Sequence, residues 1–136
     1  MQIVVFKLGD EHFAVETERV QSITDVMGIT KVPKAPSYIK GLINLRGSIK
    51  SLVDINLLLD VAPSKEKNDI INIIILNVAD EEIGISVDEV EEVLDIDEKD
   101  IQKLDKDSDK VQAYIKGILN YEGKLLTIID IDKLLN

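Results

Sequence analysis

The sequence is short of the residues on which much protein chemistry depends: its 136 residues include no cysteine, no tryptophan and a single histidine. Without cysteine there are no disulfides and no thiolate ligands for metals, so a reducing cytoplasm is the expected environment. No basic and apolar leader stands at the start, and apolar runs such as residues 73–76 are far shorter than a membrane span. These absences predict a cytoplasmic protein that does not insert into a membrane.

The charge of the chain is negative and unevenly distributed. The net charge is −10, which argues against nucleic acid as a partner, because a surface that follows phosphates needs clustered lysine and arginine. Residues 79–109 hold fourteen acidic residues against three lysines, whereas residues 26–54 hold five cations and one acid. This asymmetry is either ordinary solvated surface or the mark of a polar molecule whose two ends bind different partners.

Sequence motifs for catalysis or metal binding are scarce. His12 stands alone at the entry of a predicted hairpin, and there is no nucleophile motif and no glycine-rich phosphate loop. Residues 95–99 and 105–109 are spaced like the start of a calcium loop, but both lack the glycine at the sixth position and the glutamate at the twelfth. The sequence therefore predicts no enzyme activity, no cofactor and no metal site.

The main feature that is present is an internal repeat. Residues 38–59 (YIKGLINLRGSIKSLVDINLLL) recur 76 positions later as residues 114–135 (YIKGILNYEGKLLTIIDIDKLL), and a weaker match aligns residues 11–25 with residues 81–95. Each half predicts about five short strands, a helical turn around the Val-x-x-(Ile/Val) spacing, and a final short helix. Sheets of this size commonly close into small barrels, which removes their exposed edges. We therefore predict two pseudo-symmetric, five-stranded β-barrels packed on each other through an apolar contact.

The repeat also sets the expected boundaries within one domain that covers residues 1–136. The first barrel repeat is expected over about residues 1–62 and the second over about residues 70–136, with residues 63–69 as the linker. The N-terminal strand either stays with its own half or crosses to the other. Six repeated residues are expected to serve as structural turns and helix caps, namely Gly41, Gly47, Asp54, Gly117, Gly123 and Asp130.

The string VPKAPSYIKGLINLRGSIKSLVD, residues 32–54, closely resembles the signature of the CheW family, the coupling proteins of bacterial chemotaxis arrays. The resemblance covers essentially the whole chain and implies a mainly β fold of two SH3-like barrels with short helices. It also implies a non-enzymatic adaptor between two partners, the cytoplasmic tips of chemoreceptors (methyl-accepting chemotaxis proteins) and the regulatory domain of the histidine kinase CheA. Such an adaptor is cytoplasmic and recruited to membrane-associated receptor arrays. The chain departs from the family pattern at Ser51, where proline is usual, and at Ser22, where a charged residue is frequent.

The resemblance also implies two binding surfaces. A receptor tip would lie in an apolar groove between the barrels, and the matching positions are Val4, Thr17, Val20, Ile23 and Val90. The alternative is that these are ordinary core residues. A coupling surface for the kinase would lie on the first barrel, at Ile43, Leu45 and Arg46. Arg46 is either a solvated hairpin tip or a binding hot spot, and its equivalent in the second half is Glu122.

Two other functions compete with this interpretation. The same adaptor could serve a chemosensory pathway other than chemotaxis, such as surface motility or gene control. A different class of protein, a β-barrel that binds a small molecule, would need an enclosed cavity with a few convergent polar groups.

Overall fold

The computed structural model describes residues 1–25, 28–61, 72–103 and 114–135. Within these ranges the chain forms ten strands, two short helices and two single 3-10 turns at Thr17–Arg19 and Glu98–Asp100. The helices are α1, Ile55–Leu59, and α2, Ile131–Leu135. The strands are β1 Gln2–Leu8, β2 Glu11–Glu16, β3 Val20–Asp25, β4 Ile39–Leu45, β5 Ser48–Val53, β6 Asn72–Val78, β7 Glu81–Val87, β8 Glu89–Asp95, β9 Ile115–Tyr121 and β10 Lys124–Ile129. The predicted linker 63–69 and the calcium-like residues 105–109 lie outside the described residues.

The strands form two five-stranded sheets of the same design. The β1 sheet has the order β8-β1-β2-β10-β9, and the β6 sheet has the order β3-β6-β7-β5-β4. Each strand occupies the place that its repeat mate occupies in the other sheet, so a pseudo-two-fold axis relates the sheets. Parallel pairing of β2 with β10 and of β5 with β7 joins strands of different repeats. The N-terminal hairpin therefore crosses over, which is one of the two arrangements that the sequence left open, and each sheet combines strands of both repeats.

The predicted closed barrels are wrong in one respect, because the sheets are open. In the described residues, the edge strands of each sheet are not joined to each other by a ladder. Within the described residues, the chain that follows β3 makes one bridge to the opposite edge, where Thr30 pairs with Leu42 on β4. The chain that follows β8 likewise makes one, where Gln102 pairs with Ile118 on β9. The backbone N–O distances of these bridges are 2.8–2.9 Å. In this described part of the chain, one residue pair thus joins the two edges of each sheet.

Gly41 and Gly117 lie beside these two bridges. The prediction that the two glycines lie in turns is wrong. Both lie inside strands, β4 and β9. A Cβ atom on Gly41 would stand 2.6 Å from the Thr30 carbonyl oxygen, and one on Gly117 would stand 2.7 Å from the Gln102 carbonyl oxygen. Because these distances are far inside van der Waals contact, the bridging segments can approach the strands only at glycine.

A central apolar core joins the two sheets, as the predicted contact between the halves requires. It combines Val4, Phe6 and Val15 of the β1 sheet with buried residues of the β6 sheet such as Ile74 and Leu76. Each sheet has a smaller core on its outer face; that of the β6 sheet contains Ile43, Leu52, Ile73 and Ile75.

Asp54 and Asp130 lie before the two helices as predicted. The Asp54 carboxylate accepts hydrogen bonds from the backbone N–H groups of Asn56 at 3.1 Å and Leu57 at 3.4 Å. The Asp130 carboxylate accepts one from the backbone of Lys133 at 3.3 Å. Both side chains therefore satisfy N–H groups that a first helical turn leaves free.

Replacing Asp54 with alanine is expected to lower the free energy of unfolding by about 1 kcal/mol, because the cap of α1 is lost. Urea denaturation measures the change. The Asp54→Asn protein is the matched control and should keep most of the stability, since an amide oxygen can accept the same bonds. An equal loss in both proteins would show that capping is not the role of this side chain.

Candidate partner-binding groove and hairpin turn

Strand β3 contains a bulge that sets the direction of two predicted groove residues. Val20 and Ser22 pair with consecutive residues of β6, so Gln21 is an extra residue in β3. Side chains alternate along a strand, and one extra residue puts Val20 and Ile23 on the same face. The prediction that these two residues share a helical turn is therefore wrong. Their spacing of three comes from the bulge, and the 3-10 turn ends at Arg19.

Strand β8 repeats this arrangement. Val90 and Glu92 pair with neighbouring residues of β1, so Glu91 is the extra residue and Val90 shares a face with Val93. Val93 is 52% exposed and its repeat mate Ile23 is 43% exposed. Sequence reasoning missed Val93, although the repeat that aligns Val20 with Val90 also aligns Ile23 with Val93.

The residues of the predicted groove lie at different depths. Val20 and Val90 are half-buried against the central core, one from each sheet. Val4 is 2% exposed and belongs to that core, so it can form only the floor. We use the name edge groove for Val20, Ile23, Val90 and Val93, which lie on the edge strands β3 and β8, after the groove that the family resemblance implies.

Thr17, the fifth predicted groove residue, lies at the start of the 3-10 turn before β3. Its hydroxyl donates to the backbone carbonyl of Gln2 on β1 at 3.3 Å. This bond ties the turn of one sheet's edge strand to the other sheet, so Thr17 contributes to the position of β3.

The turn between β4 and β5 has the tight form that the sequence predicts. The φ angles of Arg46 and Gly47 are 53° and 84°, and the Gly47 N–H donates to the Asn44 side chain at 2.9 Å. The mate turn has φ angles of 50° at Glu122 and 82° at Gly123. Two positive φ angles in a two-residue loop are typical of the hairpin turns that match strand twist. Arg46 is exposed at the tip.

The sequence predicts that Ile43 and Leu45 lie on an exposed surface with Arg46, but neither side chain is exposed. Ile43 is 1% exposed and Leu45 is half-buried, because the core on the outer face of the β6 sheet, with Ile29 packed against it, covers that side of β4. The exposed apolar residue near this turn is Ile49, at 68%. Sequence reasoning missed it because the face of a hairpin strand depends on the register of its partners.

Ile49 lines an open groove of about 860 Å³ between β5, β7 and the end of α2. Tyr38 and Leu134 are among its apolar walls, and Glu81 and Glu82 stand along one side. The groove is wide and open, so it does not provide the enclosed cavity that a small-molecule barrel requires.

The polar residues of the β1 sheet are engaged with one another. His12 pairs with the carboxylate of Glu91, the bulge residue of β8, and the Lys124 ammonium lies 3.6 Å from the other oxygen of that carboxylate.

Burial, and secondarily the negative charge of Asp60, raises the pKa of Tyr114 above its ordinary value. In the described parts of the chain, no group of three or more histidine and carboxylate side chains is placed to hold a metal.

Comparison with known proteins matches this geometry to one family. The family model described as a CheW-like domain matches residues 2–136. The chain belongs to the CheW family. The chemotaxis protein CheW of Bacillus subtilis is 33% identical over 139 residues, which cover 99% of this chain and 86% of that protein. The chemotaxis protein CheW of Thermotoga maritima is 31% identical over 134 residues, covering 98% and 87%.

A solved structure supports the same assignment. The crystal structure of the scaffolding protein TtCheW from Thermoanaerobacter tengcongensis is similar with a TM-score of 0.88 and 31% identity, covering 99% of this chain and 87% of that one. The predicted CheW resemblance and the mainly β fold of two five-stranded sheets with short helices are confirmed. Among the described elements of this CheW-family chain, no helix has the length and apolar character needed to cross a membrane.

Proposed function

We propose that this CheW-family protein is a non-catalytic adaptor that couples the cytoplasmic tips of chemoreceptors to the histidine kinase CheA. The observation that carries the proposal is the separation of two candidate surfaces. The edge groove includes β3, at one edge of the β6 sheet, and the Arg46 turn adjoins β4, at the other edge. Three strands, β6, β7 and β5, lie between β3 and β4 in the hydrogen-bonded order of that sheet. Two different proteins can therefore be held at the same time.

The edge groove suits the receptor. Its exposed walls, Ile23 and Val93, are apolar, and its floor is continuous with the central core through Val20 and Val90. An amphipathic helix at a receptor tip would place side chains at positions i, i+3 and i+4 between these walls. The pseudo-two-fold relation gives the groove two similar walls, which suits the two helices of a hairpin.

The Arg46 turn suits the regulatory domain of the kinase. The positive φ angles of the turn fix Arg46 at an exposed tip, and a guanidinium offers a planar fork of donors and a flat face for stacking. The mate position carries Glu122, so the two halves present different surfaces despite their common fold. In a receptor array on the cytoplasmic side of the membrane, such modest contacts would be strengthened by multivalency.

Co-sedimentation with the separate partners tests this proposal. A chemoreceptor cytoplasmic fragment and a fragment containing the CheA regulatory domain should each bind the full chain, with no turnover by the chain itself. If the chain binds neither fragment, or binds a metabolite more tightly than it binds both fragments, the adaptor function is wrong and the chain has another binding role.

Replacing Arg46 with alanine is expected to weaken binding to the CheA fragment about tenfold, a loss of about 1.4 kcal/mol, because a rigid surface anchor is truncated. Isothermal titration measures it. Glu122→Ala is the matched control in the mate turn and should leave kinase affinity unchanged. If Arg46→Ala folds and binds the kinase normally while Glu122→Ala weakens binding, the coupling surface lies in the second half instead.

A further inference from the structure

The bulges of the edge strands β3 and β8 are each tied to a neighbouring hairpin by a pair of side chains. Their extra residues, Gln21 and Glu91, are repeat mates. The Asn77 side-chain amide donates to the Gln21 side-chain oxygen at 3.1 Å, and the His12 ring nitrogen Nδ1 pairs with the Glu91 carboxylate. Each bulge is therefore held by a polar side-chain contact as well as by the strand ladder.

The two ties start from related places in the fold. Asn77 pairs with Glu82 in the second register pair before the β6–β7 turn, and His12 pairs with Lys7 in the second register pair before the β1–β2 turn. Asn77 lies on β6, next to β3, whereas His12 lies on β2 and reaches across β1 to β8. Both halves thus tie the bulge residue, but they do so with different chemistry.

The tie in the β1 sheet fixes the relative direction of Val90 and Val93. These two residues share a face because the extra residue Glu91 stands between them. Since side chains alternate along a strand, moving the extra residue beyond either valine would turn the two side chains to opposite faces. The side chains of His12 and Glu91 are only 21% and 19% exposed, so salt and water screen their attraction weakly. The pair therefore holds the bulge in its place between the two valines.

The two ties differ in their response to pH. Amide side chains carry no charge, so the contact between Asn77 and Gln21 does not titrate. Histidine is the side chain that ordinarily changes charge between about pH 5 and 8, and His12 is the only histidine of the chain. A protonated ring bonds a carboxylate more strongly than a neutral ring does, because both partners are then charged. Protonation of His12 therefore strengthens the tie to Glu91.

Other charged side chains share the outer face of the β1 sheet with His12. The strand registers place three carboxylates and two lysines on that face, namely Glu89, Glu91, Glu92, Lys7 and Lys124. Carboxylates and lysines ordinarily keep their charges between about pH 5 and 8. The Met1 amino group donates to the Ile96 carbonyl just beyond β8, and amino groups of this kind ordinarily titrate near about pH 8. Variants at the His12 pair are therefore needed to separate its titration from that of Met1.

We propose that His12 is a positioning residue for the β8 half of the edge groove, and that its protonation strengthens the hold on Val90 and Val93. The β3 half is held by two amides and keeps its geometry over the same pH range. One half of the groove thus responds to pH and the other does not. Because the edge groove is the proposed receptor surface, the expected effect on receptor affinity rests on the proposed function.

NMR of the full chain tests the positioning role without any partner. The methyl signals of Val90 and Val93 are expected to shift with the same pH midpoint as the His12 ring signal, while those of their repeat mates on β3 stay constant. His12→Gln keeps a side-chain donor that does not titrate, and it should abolish these shifts. Glu91→Gln removes the carboxylate instead and should remove most of them. The two variants act on opposite ends of the pair, so either one suffices if the other does not fold.

Receptor binding gives the second readout. The ratio of affinities at about pH 6 and about pH 8 is measured with the chemoreceptor fragment for the unaltered chain and divided by the same ratio for His12→Gln. We expect binding by the unaltered chain to be about threefold tighter at the lower pH after this correction. The division removes any pH dependence that belongs to the fragment or to the Met1 amino group.

The outcomes separate this inference from the adaptor proposal. Methyl signals of Val90 and Val93 that ignore the His12 midpoint, or that shift as much in both variants, would overturn the positioning role and leave the adaptor function intact. A corrected affinity ratio of one, with the methyl shifts present, would overturn the role of His12 in the groove. If the fragment binds at neither pH, the adaptor function fails, and the methyl shifts still decide whether His12 positions β8.

Discussion

Replacing Ile23 with aspartate is expected to weaken binding to a chemoreceptor fragment about thirtyfold, a loss of about 2 kcal/mol. The reason is that a carboxylate would stand on an apolar wall of the edge groove and would lose its water when a receptor helix docks. Ile23 is 43% exposed, so the change should cost little stability. Isothermal titration with the receptor fragment measures the affinity, and the CheA fragment should bind as before.

Two further variants sharpen this prediction. Val93→Asp alters the opposite wall and should weaken receptor binding to a similar degree, whereas Leu125→Asp makes the same change at another exposed apolar residue and should not. Receptor affinity that falls equally in Leu125→Asp would mean that general charge, rather than the groove, determines binding. Unchanged affinity in both groove variants would mean that receptors bind elsewhere.

Replacing Gly41 with alanine is expected to lower the free energy of unfolding by about 3 kcal/mol, at the upper end of what overpacking costs. The added Cβ would stand 2.6 Å from the Thr30 carbonyl oxygen, which is backbone and cannot rotate away. The bridge between Thr30 and Leu42 would open, and with it the only closure of the β6 sheet in the described residues. Gly117→Ala should destabilise similarly through the Gln102 bridge. Urea denaturation measures both.

Gly28→Ala is the matched control for the glycine predictions. Nothing lies within 4 Å of a Cβ built at Gly28, so its stability should change by less than about 0.5 kcal/mol. A loss at Gly28 as large as that at Gly41 would show that close approach of the bridge does not explain the effect at Gly41.

The sequence predicts features of this fold that are local or repeated. The tight turns at Arg46-Gly47 and Glu122-Gly123 follow from a glycine between two strand-like runs, and the caps at Asp54 and Asp130 follow from a carboxylate before a short apolar helix. The repeat itself predicts two similar sheets with an apolar contact. Each of these depends on a few neighbouring residues or on direct comparison of the two halves.

The features that sequence reasoning missed depend on pairing between distant strands. Val20 and Ile23 are three residues apart and lie on one face, which fits either one helical turn or a strand with a bulge at Gln21. Only the register of β3 against β6 distinguishes the helix from the bulged strand. The burial of Ile43 and the exposure of Ile49 depend on which face of the β4–β5 hairpin is covered. Exchange of the hairpins and closure by one bridge likewise result from long-range pairing, which leaves no local pattern.

The most direct measurement of the central claim is co-sedimentation of all three proteins together. The chain, the chemoreceptor fragment and the CheA fragment should form a ternary complex, in which saturation with receptor leaves the affinity for CheA unchanged or increased. Competition between the two fragments for one surface would contradict the account, because the edge groove and the Arg46 turn would then not act as separate sites.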